Sequence, residues 1–172
     1  MKVRIGQKIN SFTVEAINGE QQMVPDPSRK FTHLQFRRFT GCPICNYHLH
    51  TFTKNAEQLK AADIQEIILF HSSTTEMRKY QHDIPFVTIA DPEKALYKKF
   101  GVDKSFLATM HPRPLWAGIR GTILGKMGLK VENGPFGLPA DILINRDGIV
   151  IAFKYGTHAY DQWEVNELLK IA

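Results

Sequence analysis

Long apolar runs are missing from this chain. Of its 172 residues, no unbroken apolar stretch exceeds five, Ile149 to Phe153, whereas a membrane-crossing helix needs roughly 20. No membrane span is expected. The opening MKVRIGQKINSF carries charges with no apolar stretch of seven or more behind them, so no secretory signal is expected and the cytoplasm is the expected location. Cysteine is scarce: two residues, Cys42 and Cys45, too few for a disulfide framework. Charge of one sign is nowhere concentrated. The net charge of +5 is spread along the chain, which gives no footprint for nucleic acid. Repeats, low-complexity segments and linkers are also absent, so one domain over 1–172 is expected. At this length a domain buries roughly 70% of its unfolded surface, and 43% hydrophobic with 23% charged residues is an ordinary globular composition.

The periodicity predicts alternating strands and helices. Asn18-Gly19 between short alternating runs signals an N-terminal hairpin. FTHLQFRRF reads as a strand stopped by Gly41, and Pro43 opens a helix running free of Pro and Gly to about Ala62. IQEIILF (64–70) is a buried-strand pattern, STTEMRKYQ a short helix capped by Ser or Thr, and FVTIA (86–90) a further strand. In DPEKALYKKFG, Asp91 is the expected cap, Pro92 lies in the first turn and Gly101 is the stop. ADILINRDGIVIAFKYG gives two strands joined around Asp147-Gly148. DQWEVNELLKIA closes the chain as an amphipathic helix with Trp163, Val165, Leu168, Leu169 and Ile171 apolar. The expected class is α/β: a thioredoxin-like fold with a central mixed sheet, an N-terminal β-hairpin extension and a helical insertion at about 103–134 before the last hairpin.

The chemistry is concentrated in FRRFTGCPICNYHLHTF (36–52). A helix N-terminus presents unpaired N–H groups and the positive end of the helix dipole, so a thiolate on Cys42 is favoured there. Cys45, one turn along, can attack an adduct or sulfenic acid on Cys42 and close a Cys42–Cys45 disulfide. Two other readings stand beside this one. Both cysteines could be small buried hydrophobes, or they could join His48 and His50 at a metal, since Cys-x-x-Cys is a common zinc spacing. On one helix, however, His50 points away from Cys45 and His48, so a single run cannot gather all four around an ion. The two histidines are expected on the helix surface or near the site rim. No metal and no cofactor are expected.

FRRFTGCPICNYHL, the segment FHSSTTEMRKYQHDIPFVTIADPEKALYKKFGV and GLPADILINRDGIVIAFKYG together resemble the AhpC/TSA-type peroxiredoxin-like proteins of the thioredoxin superfamily, in the branch carrying Gly-Cys-Pro-x-Cys. The resemblance covers most of the chain. It implies a thiol–disulfide redox enzyme that reduces peroxides or disulfides through Cys42 and Cys45, reset by an external thiol reductant such as thioredoxin or glutathione. It also puts Pro139 in the place of the family's cis-proline beside the cysteines. The family's Thr or Ser three residues before the attacking cysteine, and its Pro seven before, are replaced here by Phe39 and Gln35, with Thr40 one place out of register as the candidate hydroxyl.

That departure matters because a low thiol pKa by itself gains only a few-fold in rate, as nucleophilicity falls with basicity. Fast peroxide reduction also needs donors for charge developing on the peroxide oxygens. Arg37 and Arg38 are the candidates, and since adjacent strand residues face opposite ways, one at most is expected near the thiols, the alternative being a solvated basic strand end. In the insertion, Leu115, Trp116, Ile119, Ile123 and Met127 recur at helical spacing. They read as a helix on the domain's own core, or alternatively as a homodimer interface or a lid. The reading from another functional class is a non-catalytic thioredoxin-fold interaction or metal-binding protein.

Overall fold

The computed structural model describes residues 1–80, 84–102, 134 and 137–172. The insertion expected at 103–134, Trp116 included, lies outside them except for Gly134. Strands β1 (Phe12–Glu15) and β2 (Gln21–Val24) pair antiparallel as the expected hairpin. Gly19 lies in its turn with φ +89°, a conformation that costs a side-chain-bearing residue strain.

Strands β3 (Phe31–Phe36), β4 (Ile64–Phe70), β5 (Val87–Ala90), β6 (Ala140–Asn145) and β7 (Val150–Tyr155) form one sheet in the order β5-β4-β3-β6-β7. β3, β4 and β5 run parallel, while β6 and β7 add antiparallel pairing. The helices are α1 (Pro43–Lys54), α2 (Ala56–Ala61), α3 (Thr74–Met77), α4 (Ala95–Lys99) and α5 (Val165–Ile171). This is the α/β, thioredoxin-like arrangement that the alternating pattern implied.

Three helix boundaries depart from expectation, each through a local side chain. The helix expected from Pro43 to about Ala62 breaks at Asn55, whose side-chain amide takes the Thr51 carbonyl at 2.8 Å and diverts it from the backbone ladder. α4 starts at Ala95 rather than Pro92. The Asp91 carboxylate does cap it, but by reaching forward to the N–H groups of Ala95, Leu96 and Tyr97 at 2.9, 2.8 and 3.3 Å. α5 begins only at Val165, behind a reciprocal capping box of Glu164 and Glu167. Trp163 therefore precedes the helix, buried, and Ile171 is exposed.

Strand alternation divides the core between the two sheet faces. Leu34, Phe36, Ile67, Leu69, Ile142 and Ile144 pack with Tyr97 and Phe100 on one side. Phe31, Ile64, Ile68, Phe70 and Leu143 pack with Phe52, Trp163 and Leu168 on the other, the side that also holds both cysteines. On that second side the alternation places polar residues where apolar ones are the rule: His33 and Gln35 on β3, Glu66 on β4 and Asp141 on β6, all buried.

Candidate redox site

β3 delivers the chain to the site. Past its end Arg37 still donates its N–H to Leu69 O at 2.9 Å, and a turn closed by Cys42 N–H on Phe39 O at 3.0 Å brings the backbone to α1. Cys42 is the N-cap, extended at φ −69° and ψ 115°, with Pro43 in the first turn. Its Sγ accepts the Cys45 N–H at 3.4 Å, one of the amide donors that a helix start leaves unpaired. The approach is pinned at Thr40, whose N–H goes to Ser72 Oγ at 3.0 Å and whose carbonyl takes the Asn46 side chain at 2.9 Å. Cys42 and Cys45 thus lie one turn apart at the start of α1, and Thr40 reaches this turn through its backbone N–H and carbonyl.

Both cysteines are free thiols and both are buried, at 0% and 2% exposure. Each sulfur bears on the ionisation of the other. Burial pushes the Cys45 thiol up. The neighbouring Cys42 side chain, the charge and backbone N–H of Arg38, and the charge of Arg37 act the other way and lower it. Burial, then the neighbouring Cys45 sulfur, holds Cys42 well above the ordinary thiol range, against Arg38 and the Cys45 N–H. Burial opposes ionisation of both sulfurs, and the Cys45 N–H aimed at Cys42 Sγ is the kind of helix-start donor that favours negative charge there.

Arg37 and Arg38 are both buried, 0% and 6% exposed, rather than forming a solvated strand end. Arg38 bears on both sulfurs, through its charge and, at Cys45, its backbone N–H, while Arg37 bears on Cys45 through its charge alone. Arg38 lies over the Phe39 ring at 5.5 Å, and its side chain borders Gly137 together with His71. Arg37 Nη2 donates to Gln35 Oε1 and, at 3.0 Å, to Asp141 Oδ1. Gln35 Nε2 donates in turn to Glu66 Oε2, which also bonds His33 Nδ1 at 2.8 Å. His33 Nε2 lies at ion-pair distance, 3.4 Å, from Asp141 Oδ1 without a hydrogen bond among the described residues. Burial disfavours the charged imidazole, but Glu66 and Asp141 outweigh it and raise His33 to about 9. Burial likewise disfavours the Asp141 carboxylate, yet Arg37 and His33 hold it well below the usual carboxylate range.

Two expectations fail on the far side of the site. His48 is not on the surface: it is fully buried, stacks on Phe52 with ring centres 4.9 Å apart and bonds Trp163 O through Nε2 at 2.8 Å. Burial, then Arg37, pushes it down to about 3, so the ring is neutral. Pro139 is not the cis residue. The cis peptide bond among the described residues is Val24–Pro25. Pro139 leads into β6 with its carbonyl accepting the Gly156 N–H at 2.9 Å, and its ring lies where a Gly156 side chain would begin, 2.8 Å from that Cβ position. A trans proline serves this because it lies just ahead of the strand and its missing N–H takes no ladder bond. No cluster of three or more His, Cys, Asp or Glu among the described residues could hold a metal ion. No helix among them is long and apolar enough to cross a membrane.

The sequence pattern did not single out His33, Glu66 and Asp141, and it marked Gln35 only as a departure from the family's proline. The polar residues at 33, 35 and 37 form a period-2 signal, but that signal describes a solvent-facing strand side equally well.

The mixed sheet, with a close cysteine pair at the head of the first long helix, defines a peroxiredoxin-like protein of thioredoxin fold. Residues 5–153 match the model of the AhpC/TSA family, and the chain belongs to that family. No curated protein matches it. Among solved structures it is similar to the peroxidoxin BcpB of Mycobacterium tuberculosis, with 14% identity and a TM-score of 0.71 over 97% of this chain and 94% of that one. It is similar to the reduced 2-Cys peroxiredoxin of Plasmodium vivax, with 14% identity and a TM-score of 0.68 over 97% and 79%. It is also similar to a mutant of peroxiredoxin 6 of Arenicola marina, with 16% identity and a TM-score of 0.71 over 98% and 71%. At such identities the likeness is one of fold.

Proposed function

We propose that this protein is a thiol-dependent oxidoreductase that reduces peroxides through a Cys42–Cys45 dithiol/disulfide cycle. One observation carries the reading: two free thiols lie one turn apart at a helix start, with Cys42 Sγ accepting the Cys45 N–H at 3.4 Å. The reaction starts from the Cys42 thiolate, with the proton on Cys45. Its sulfur attacks a peroxide oxygen, the S–O bond forms as the O–O bond breaks, and the leaving alkoxide or hydroxide takes the Cys45 proton. The Cys45 thiolate then attacks the Cys42 sulfenic acid and releases hydroxide, which leaves a disulfide; two electrons have passed from the thiols to the peroxide. An external thiol reductant such as thioredoxin or glutathione restores the pair, and a disulfide substrate would use the same two sulfurs. Arg38 Nε is buried with no hydrogen-bond partner among the described residues, which makes it the candidate donor for a peroxide oxygen.

The test adds hydrogen peroxide to the reduced protein, counts free thiols and maps the products by mass spectrometry. Wild type should lose both thiols to an intramolecular disulfide. Cys45→Ser should stop at a sulfenic acid on Cys42 that a sulfenate trap captures, and Cys42→Ser should form neither product. Retention of both wild-type thiols under excess peroxide and oxidised glutathione would refute the reading in favour of a non-catalytic thioredoxin-fold module.

A further inference from the structure

Strands β3 and β4 separate at an irregular rung, in the approach to the cysteines. Phe36 pairs Leu69 in parallel register, and the Arg37 N–H goes to Leu69 O at 2.9 Å as that register requires. The next rung of a parallel ladder would carry the His71 N–H to Arg37 O, because a strand residue turns its N–H and C=O toward the same neighbour. It does not form. The His71 N–H goes instead to Arg38 O at 3.3 Å, one residue further on. The Arg37 carbonyl is taken by the hydroxyl of Tyr97, which also lies 2.8 Å from Leu69 O. Leu69 O already has the Arg37 N–H, so the single hydroxyl hydrogen is best used on Arg37 O, a buried carbonyl that would be costly to leave unpaired. A one-residue step of this kind bends a strand and re-aims the side chain beyond it. We infer that Tyr97 is a positioning residue of the redox site: its hydroxyl holds the Arg37 carbonyl, and the resulting step in the ladder sets Arg38 opposite His71.

Tyr97 is itself firmly held. Its N–H goes to Asp91 Oδ2 at 3.3 Å and the Asp91 N–H goes to Phe70 O at 2.8 Å, which ties α4 to the end of β4. The ring is buried, meets Phe36 edge-on at 5.1 Å and stands 5.9 Å from the His71 ring. What the step achieves is visible at Gly137, where a Cβ would lie 3.4 Å from Arg38 Cγ and 3.2 Å from His71 Nε2. Arg38 and His71 thus converge on one backbone position. In an unstepped ladder the Arg38 carbonyl would point away from β4 and could not meet the His71 N–H. Tyr97 therefore acts on the chemistry through Arg38, and the inference rests on the redox reading in which Arg38 is the donor to a peroxide oxygen.

Tyr97→Phe removes the hydroxyl and keeps the ring. In the whole reduced protein, oxidation of Cys42 by hydrogen peroxide should slow about tenfold, while alkylation by iodoacetamide, which needs the thiolate but no donor to a departing oxygen, should change less than about twofold. Arg38→Met should slow oxidation at least as much, and the double variant should be no slower than Arg38→Met alone, because both changes remove the same contribution. Tyr97→4-aminophenylalanine restores a donor and should recover most of the wild-type rate. Unslowed oxidation in Tyr97→Phe, equal slowing of oxidation and alkylation, or additive losses in the double variant would each overturn the inference. A crystal structure of Tyr97→Phe reads the step without turnover: the His71 N–H should return to Arg37 O, and a bond still on Arg38 O overturns the inference whatever the kinetics. Wild-type thiols inert to peroxide, with the step undone in Tyr97→Phe, would sink the redox reading and leave Tyr97 as the residue that places Arg38.

Discussion

Raising the pH should unfold this protein by way of His33. The imidazole has an ordinary value of 6.5 and is raised to about 9 in the fold by Glu66 and Asp141 acting against burial. A group raised on folding contributes stability that is fully present below its unfolded pKa and is lost as the pH rises through the folded one. Between pH 6 and pH 9.5 the loss integrates to about 3 kcal/mol, from 2.303RT per pH unit over the window between the two values. The cysteines titrate in the same range: Cys45, lowered to about 6, gains stability as the pH rises, while Cys42 is raised. The measurement therefore belongs in the Cys42→Ser/Cys45→Ser double variant. His48, pushed down to about 3, works the other way and returns about 1 kcal/mol over this range; with a urea slope of about 2 kcal/mol/M, the unfolding midpoint should therefore fall by about 1 M from pH 6 to pH 9.5, and adding His33→Gln should abolish the fall. A midpoint that does not move with pH, or one that falls equally after His33→Gln, would show that the buried imidazole is not held as a cation.

Two further outcomes concern the scaffold around the site. Asp91→Ala strips three N–H groups at the start of α4 of their acceptor and should cost about 2 kcal/mol in urea unfolding, with Asp91→Asn recovering part of it. Gly148→Ala should cost at least about 1 kcal/mol, because φ is +82° there and the new Cβ would lie 2.5 Å from Ile9 O; a neutral result would mean that the β6–β7 turn relaxes freely.

Where the information was local, it was legible. The Asn18-Gly19 hairpin, the buried run of β4 and the short helix capped by Ser73 are set by residues adjacent to one another, and backbone propensity reads neighbours well. Asp91 was legible as a cap but not in its reach, since a carboxylate that bonds amides four to six residues ahead postpones the helix it caps. At the site, the i to i+3 spacing of the cysteines was sufficient to bring them together. Their surroundings were not legible. His33, Glu66, Asp141 and Trp163 lie up to 130 residues apart in the chain (163 minus 33), and no periodic pattern states which of them will meet.

The order of residues along the chain thus determined the α/β alternation, the N-terminal hairpin and the placing of two thiols one helical turn apart, because each depends on dihedral preferences and spacing within a few residues. Only the assembled tertiary structure decided that both sulfurs are buried, that His48 lies in the core, that Pro139 is trans and that Arg37 is buried against Gln35 and Asp141. Burial and Coulomb interaction depend on distance through space, and that distance is fixed only when three strands and two helices from distant parts of the chain close on one another.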